Sequence, residues 1–326
     1  MPDLLTICVL THERPEFLRE CLRSIFAQTF QDYSLVILHN PGTEDYFEVL
    51  NEFKDPRIKY VKHGINIGAA ANFLKAATDY NSKYLVIFHD DDLMHPRLIE
   101  FEIDIMERRE DIQFAVTDFT HFKGEVPPFA DISTPQECLF ENGVDYTLSL
   151  LTGMRIAFSS VMYRTSALRI VDVEQISRRF GKIGDRPLLV KLACQGASAW
   201  LQSRLVLVRD HPNQDSASLG IGEDYFIDWA CFYKDVLQTR WNFETARIFY
   251  TYTGFMLPEI WGFHDPSHRS SFLKFLCKCR SSGVINIPIL LLCLAWTQAR
   301  SKLDRGLKLV VPEGAFDRLK RWYYGL

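Results

Sequence analysis

The 326-residue chain has no CxxC pair and no Cys/His spacing of the kind that holds zinc. Its eight cysteines are scattered. Cys8 and Cys194 lie in apolar runs and read as small core residues in a reducing cytosol, which excludes a disulfide framework. Long apolar runs are missing too. The longest, Ile285 to Trp296, is broken by Asn286 and Pro288 and is too short to span a bilayer. No basic segment and cleavage site open the chain, so no signal peptide is expected. Excess positive charge is absent: a net charge of −4 argues against nucleic-acid binding over the whole surface. The loop Thr11 to Pro15 contains no glycine, which counts against the Gly-rich phosphate loop of a nucleotidyltransferase. Internal repeats and low-complexity segments are also lacking.

What is present is a globular composition, 47% hydrophobic and 24% charged. Leu4 to Leu10 is a continuous apolar run that reads as a buried parallel strand. Glu16 to Gln28 places Phe17, Leu18, Cys21, Leu22, Ile25 and Phe26 at helical spacing. The alternation continues with strands at Ser34 to Leu38 and Ile58 to Val61 and helices at Tyr46 to Phe53 and Ala69 to Tyr80. Such alternation predicts βαβ units and a mainly parallel sheet. Further along, Pro96 to Arg108 and Pro187 to Gln195 read as helices. Phe114 to Phe119, Ile156 to Tyr163 and Trp200 to Val208 read as strands. Gly124 to Gln136 is a Pro-rich loop. From about Asp224 the pattern is helical and aromatic, so a boundary is expected near residue 220, with 1–220 as one domain and 221–326 as a helical extension.

Tyr84-Leu85-Val86-Ile87-Phe88 is a buried strand followed by His89-Asp90-Asp91-Asp92. Three adjacent carboxylates repel one another, and burial raises the cost. In sequence no basic residue stands beside them until Arg97. A divalent cation would remove the cost, since hard oxygen ligands suit Mg²⁺ or Mn²⁺. Ligands of open α/β sheets sit outside the carboxyl ends of the strands. A solvated acidic turn leading into the helix near Pro96 is the competing reading.

In order along the chain, six stretches resemble motifs of the family 2 glycosyltransferases, nucleotide-sugar enzymes of the GT-A fold. They are Thr6 to Pro15 with its Thr11-x-x-Arg14 pattern, Asn66-Ile67-Gly68 with Asn72, His89-Asp90-Asp91-Asp92, Ser159 to Arg164, Gly184-Asp185 with Leu188, and Arg209-x-His211-x-x-Gln214-x-Ser216. The resemblance covers about residues 4 to 216. It implies a Rossmann-like nucleotide-binding sheet with helices on both faces. Two positions depart from the family pattern. His39-Asn40 stands where an Asp usually reads the uracil N3–H, although the Asn40 carbonyl can accept that bond. Gly184 replaces the Glu that precedes the catalytic Asp.

The resemblance implies roles for each matching residue. Thr11, Glu13, Arg14, Asn40, Asn66, Gly68, Asn72, Asp90 and Asp91 would line the nucleotide-sugar donor. Asp92, Asp90 and His211 would hold Mn²⁺ or Mg²⁺. Asp185 would be the base that deprotonates the acceptor hydroxyl, giving inversion by single displacement. Its plain alternative is a helix N-cap. The donor expected is a UDP-sugar, and the acceptor a bacterial surface glycan, lipid-linked in one reading. A metal-dependent nucleotidyltransferase and a non-catalytic scaffold are the rival readings. Trp200 and Phe158 read as core.

From Arg269 to the C-terminus there are eleven Lys/Arg against three Asp/Glu, with Trp296, Trp322, Tyr323 and Tyr324 nearby and Ser281 to Gly283 marking a turn. Basic residues beside aromatics suit a membrane interface. The expectation is a cytoplasmic protein held at the inner face of the plasma membrane. A helical cap with solvated charges fits the same residues.

Overall fold

A computed structural model of the protein describes residues 3–180, 184–212, 214 and 223–261. The first half runs β1 (Leu5–Thr11), α1 (Pro15–Phe26), β2 (Ser34–His39), α2 (Phe47–Glu52), β3 (Ile58–Lys62), α3 (Ala69–Thr78) and β4 (Tyr84–His89). β1 is buried at every position, as a strand covered on both faces must be. β2 and β4 flank it in parallel, and β3 adds a parallel edge. The edge strand carries Lys59, Tyr60 and Lys62 on its exposed positions, and such charges discourage pairing with another chain.

The second half adds β5 (Leu93–Met94), α4 (Leu98–Arg108), β6 (Ile112–Phe122), β7 (Glu137–Phe140), α5 (Gly143–Leu151), β8 (Val161–Arg164), α6 (Thr165–Ile170), α7 (Val173–Phe180), α8 (Asp185–Ala193) and β9 (Ala197–Arg209). Among the described residues nine strands form one sheet in the order β3-β2-β1-β4-β8-β6-β9-β5, with β7 also on β9. β8 is antiparallel to both β4 and β6, whereas β6 and β9 are parallel. The expected strand Ile156 to Tyr163 is therefore shorter and later. Phe158–Ser160 is a 3₁₀ turn, in which Ser160 Oγ donates to the Ala157 carbonyl at 2.7 Å. Serine hydroxyls that bond the local backbone favour turns over ladders. Cys194 also departs from expectation: it caps the exposed end of α8, while Cys8 is buried.

Alternation decides which helices cover which face. Leu5, Ile7 and Val9 of β1, Leu35 and Ile37 of β2, and Val86 and Phe88 of β4 share a core with α1 and α4. α1 contributes Leu18, Cys21, Leu22 and Ile25 at spacings of three and four. Each such buried aliphatic side chain stabilises the fold by about 1.5–3 kcal/mol. Cys8, Val36, Leu38, Leu85 and Ile87 are buried on the opposite face, where α3 turns Asn72, Ala76 and Ala77 inward.

Two compact units emerge, Met1–Tyr146 with Arg155–Leu219, and Thr147–Met154 with Gly220–Leu326. In the second, α9 (Glu223–Leu237) and α10 (Phe243–Trp261) join through an aromatic cluster in which Trp229 stacks on Tyr252 at 5.2 Å. Asn242 and Thr245 exchange hydrogen bonds of 2.8 and 3.0 Å at the start of α10, a reciprocal cap. No described helix is long and apolar enough to cross a membrane. The basic stretch from Arg269, its turn at Ser281 to Gly283, and Ser216 of the closing motif lie outside the described residues.

Candidate active site

The register of β1 on β4 pairs Leu10 with His89 and so brings Thr11 beside Asp90. Asp90 is fully buried. Its carboxylate accepts the Thr11 hydroxyl at 2.6 Å and the His12 backbone N–H at 3.2 Å, and Arg14 Nη2 lies 2.7 Å away. Asp91 receives Arg14 Nη1 at 2.6 Å and lies 2.9 Å from His211 Nε2. Asp92 accepts the Ser159 hydroxyl at 2.6 Å and the Arg209 backbone N–H at 3.2 Å. The counter-charge that was not visible beside the aspartates in sequence thus comes from Arg14, in the loop after β1.

Burial pushes the carboxyls of Asp90 and Asp92 above the usual range, opposed by Arg14 at Asp90 and reinforced by the Asp91 charge at Asp92. At Asp91 burial acts in the same direction, but Arg14, His89 and His211 outweigh it and hold the carboxyl below its ordinary value. Arg14 pairs with Asp90 and Asp91, while Asp92 is met by neutral donors, so a divalent cation would offset the repulsion among the three carboxylates. The donor set suits one: a nitrogen of His89 and oxygens of Asp91 and Asp92 lie within 4.8 Å of one another; the carboxylates suit Mg²⁺ or Mn²⁺, and the imidazole favours the transition metal. This group differs from the expected ligands Asp92, Asp90 and His211. Asp90 is engaged by Thr11, His12 and Arg14, and His211 Nε2 lies 2.9 Å from Asp91. His89, a member of the acidic motif to which the sequence attaches no role, is stacked on Phe158 with ring centroids 5.1 Å apart, and Phe158 meets Phe73 edge-on at 4.9 Å. Phe158 is thus beside the site, not in the core.

Arg209 joins β9 to this centre. Its Nε donates to the Asp91 carbonyl at 3.2 Å, and its guanidinium pairs with Glu20. Phe17 and Phe122 lie 4.5 and 4.6 Å from the guanidinium carbon, a favourable cation–π arrangement. Ser159 and Arg209 were legible only as members of motifs, with no role attached.

Other expected donor residues hold loops in place. Asn40 is buried. Its Oδ1 accepts the Ile67 N–H at 2.8 Å, and its Nδ2 donates to Asn66 Oδ1 at 2.7 Å. Asn66 Oδ1 also accepts the Gly68 N–H at 2.9 Å. Gly68 has φ +81° and ψ 161°, a conformation almost confined to glycine. Asn72 donates to the Leu38 carbonyl at 3.2 Å and accepts from His63 Nε2 at 2.8 Å, which ties α3 to the ends of β2 and β3. Glu13 takes φ +59° and accepts hydrogen bonds from Thr43 and Glu44, which lower its pKa. It passes so close to Gly42 that a Cβ there would clash with Glu13 Oε1.

His39 is buried at the end of β2 between Tyr46 and Tyr60. Tyr60 bonds its Nδ1, and its Nε2 has no hydrogen-bond partner among the described residues. Burial lowers its pKa to about 4, helped by positive charge from Lys62, His12 and His63. Asp185 opens α8 as its first helical residue, with Pro187 in the first turn, where the missing N–H costs nothing. Its charge reaches the buried Tyr163 phenol, which burial first and Asp185 second push upward. Among the described residues no hydrogen bond joins Asp185 to the aspartate group.

The family model described as Glycosyl transferase family 2 matches residues 6–170. An uncharacterized glycosyltransferase of Methanocaldococcus jannaschii is 33% identical over 113 residues, 33% of this chain and 39% of the relative. The Escherichia coli UDP-Glc:alpha-D-GlcNAc-diphosphoundecaprenol beta-1,3-glucosyltransferase WfaP is 23% identical over 117 residues, 36% of this chain and 46% of the relative. The chain thus spans less than half the length of these two relatives. Among solved structures, S. aureus TarS 1-349 in complex with UDP-GlcNAc superposes with a TM-score of 0.61 at 12% identity, covering 84% of this chain and 80% of that one. The likeness is one of fold: a GT-A sheet with helices on both faces.

Proposed function

Because the chain belongs to glycosyl transferase family 2, we propose that it transfers a sugar, with inversion, from a UDP-sugar donor to a glycan hydroxyl. The observation that carries this reading is the meeting of Arg14, His89, Asp91 and Asp92 beyond the carboxyl ends of β1 and β4, where ligands of open α/β sheets bind. His89, Asp91 and Asp92 would hold Mn²⁺ or Mg²⁺. Such an ion supplies Lewis-acid neutralisation of the charge on the departing diphosphate. Arg14 presents a planar fork that suits phosphate as well as carboxylate. Ser159 and the Arg209 N–H orient Asp92, and Phe158 sets the plane of the His89 ring. Asp185, at the N-terminal end of α8, would act as the base toward the acceptor hydroxyl.

Thermal unfolding of the full chain with UDP and UDP-sugars, in Mn²⁺ or in EDTA, tests the reading, followed by donor hydrolysis assays. Occupancy at one hundred times Kd adds about 2.7 kcal/mol of stability, so a clear rise in Tm is expected only when nucleotide and metal are together. The same melting temperature in every mixture would remove both the donor and the metal from the proposal.

A surface glycan on a lipid carrier is the acceptor class we favour, supported by the diphosphoundecaprenol substrate in the printed name of WfaP. In this reading residues 1–220 carry the transfer chemistry and 221–326 meet the acceptor or the inner membrane face. The eleven basic residues from Arg269 onward would then bind anionic vesicles less strongly as salt rises. Salt-independent partitioning, equal to that of a chain ending at residue 268, would leave the basic residues simply solvated.

A further inference from the structure

Arg14 sits at the mouth of the carboxylate group in an unusual way. It is the N-cap residue of α1, yet its side chain makes no capping bond. The guanidinium instead lies 2.7 Å from Asp90 and 2.6 Å from Asp91. Nη1 is also 3.2 Å from His211 Nε2. The side chain is 23% exposed, against 0% and 9% for the two carboxylates. An incoming ligand therefore meets Arg14 before it meets either aspartate. Asp91 is at the same time one of the three residues able to hold a cation.

We propose that Arg14 is a resident counter-ion of the cation site, and that a nucleoside diphosphate draws it off Asp91, so that nucleotide and cation binding are coupled through this side chain. The inference rests on the metal and donor reading given above. A guanidinium and a divalent ion that share one buried carboxylate repel each other strongly, because screening by water is weak there. With Arg14 on Asp91, the cation alone is held poorly. A diphosphate offers the fork an equivalent pair of oxygens. Once Arg14 turns to it, Asp91 faces the cation without the competing guanidinium.

His211 takes part in the exchange. Its Nε2 cannot accept from Arg14 and donate to Asp91 at once, since the first needs the nitrogen bare and the second needs it protonated. Departure of Arg14 lets Nε2–H donate to Asp91 and keeps that carboxylate in place. The coupling is then reciprocal, as linkage requires: the cation tightens the nucleotide by the same factor as the nucleotide tightens the cation.

The test is a binding cycle on the full chain. Mn²⁺ affinity is measured by electron paramagnetic resonance and calorimetry, without and with saturating UDP, for the wild type and for Arg14→Met, Arg14→Gln and Arg14→Lys. Arg14→Gln keeps hydrogen-bond donors while removing the charge, so it serves if Arg14→Met does not fold. Either neutral variant is expected to bind Mn²⁺ alone about tenfold more tightly, a gain of about 1.4 kcal/mol. The factor by which UDP tightens Mn²⁺ should shrink by a similar amount. Arg14→Lys should return both values toward the wild type. Neutral variants with unchanged or weaker Mn²⁺ affinity overturn the inference but leave the donor and metal reading standing. A wild type that binds no Mn²⁺, with or without UDP, overturns both.

Discussion

Replacing Asn40 with alanine separates two roles for this residue. In the structure both ends of its carboxamide are engaged, with the Ile67 N–H at 2.8 Å and Asn66 Oδ1 at 2.7 Å. Each neutral hydrogen bond contributes about 1 kcal/mol net, so Asn40→Ala should destabilise the protein by about 2 kcal/mol. For a unit of this size each kcal/mol moves Tm by roughly 2–4 °C, which puts the expected fall at about 4–8 °C. The loss should be local at first: amide exchange at Ile67 and Gly68 should quicken, while the strand amides of β1 stay protected. A double-mutant cycle with Asn66→Ala should return a coupling of about 1 kcal/mol, the share of the bond that joins the two side chains. UDP affinity should fall only as far as the loop loses order. If Asn40→Ala melted like the wild type, kept slow exchange at Ile67 and lost UDP affinity more than tenfold, the loop-holding role would be wrong. Asn40 would then be reading the base directly.

Three further outcomes follow from the same geometry. The pKa of His39 is lowered from 6.5 to about 4, so the unfolded chain binds the proton more readily. The contribution of His39 is complete above pH 6.5 and is lost as pH falls toward 4, by about 3 kcal/mol in all at about 1.4 kcal/mol per unit. Urea unfolding of the wild type and His39→Gln from pH 7.5 to 4.5 should show that difference in slope, and parallel curves would contradict it. Ser159→Ala removes the hydroxyl that orients Asp92 and should weaken Mn²⁺ by about 10–100-fold, the opposite sign to the Arg14 variants. Unchanged Mn²⁺ binding by calorimetry would remove Ser159 from that role. Asp185→Asn keeps the start of α8 but cannot take a proton; transfer should vanish while UDP–Mn²⁺ affinity stays within a few fold. Substantial turnover would send the search for the base to another carboxylate.

Much of the first half was legible because its central strands β1, β2 and β4 are almost wholly buried. Leu4 to Leu10 is apolar except for the buried Thr6, Tyr84 to Phe88 is a hydrophobic run throughout, and each is followed by polar residues that mark the ligand edge of the sheet. The second half was read less well where strands are short or interrupted by local hydrogen bonding. β5 is two residues long and exists through Leu207 and Val206 of β9, a pairing no local pattern announces. The turn at Phe158 to Ser160 hides in an apolar stretch because its shape depends on serine side chains bonding backbone. The acidic group was recognised, but its internal charge balance was not. Arg14 and Asp91 are 77 positions apart, and only the neighbouring positions of β1 and β4 bring them together. Likewise Asn40 is a polar residue at a strand end, for which ligand contact and loop anchoring look alike in sequence.

The position of β9 determines how this protein can be divided or recombined. The family match ends at residue 170, whereas β9 spans Ala197–Arg209. Among the described residues, β5 and β7 both pair with β9 and with no other strand. A gene fragment cut to the family boundary would strip three ladders from the sheet, expose the long edge of β6, and leave Asp92 without the Arg209 amide. The transplantable piece therefore runs at least through His211. Chimeras that exchange donor-binding modules between relatives should place their junctions beyond that residue, however well the first 170 positions align.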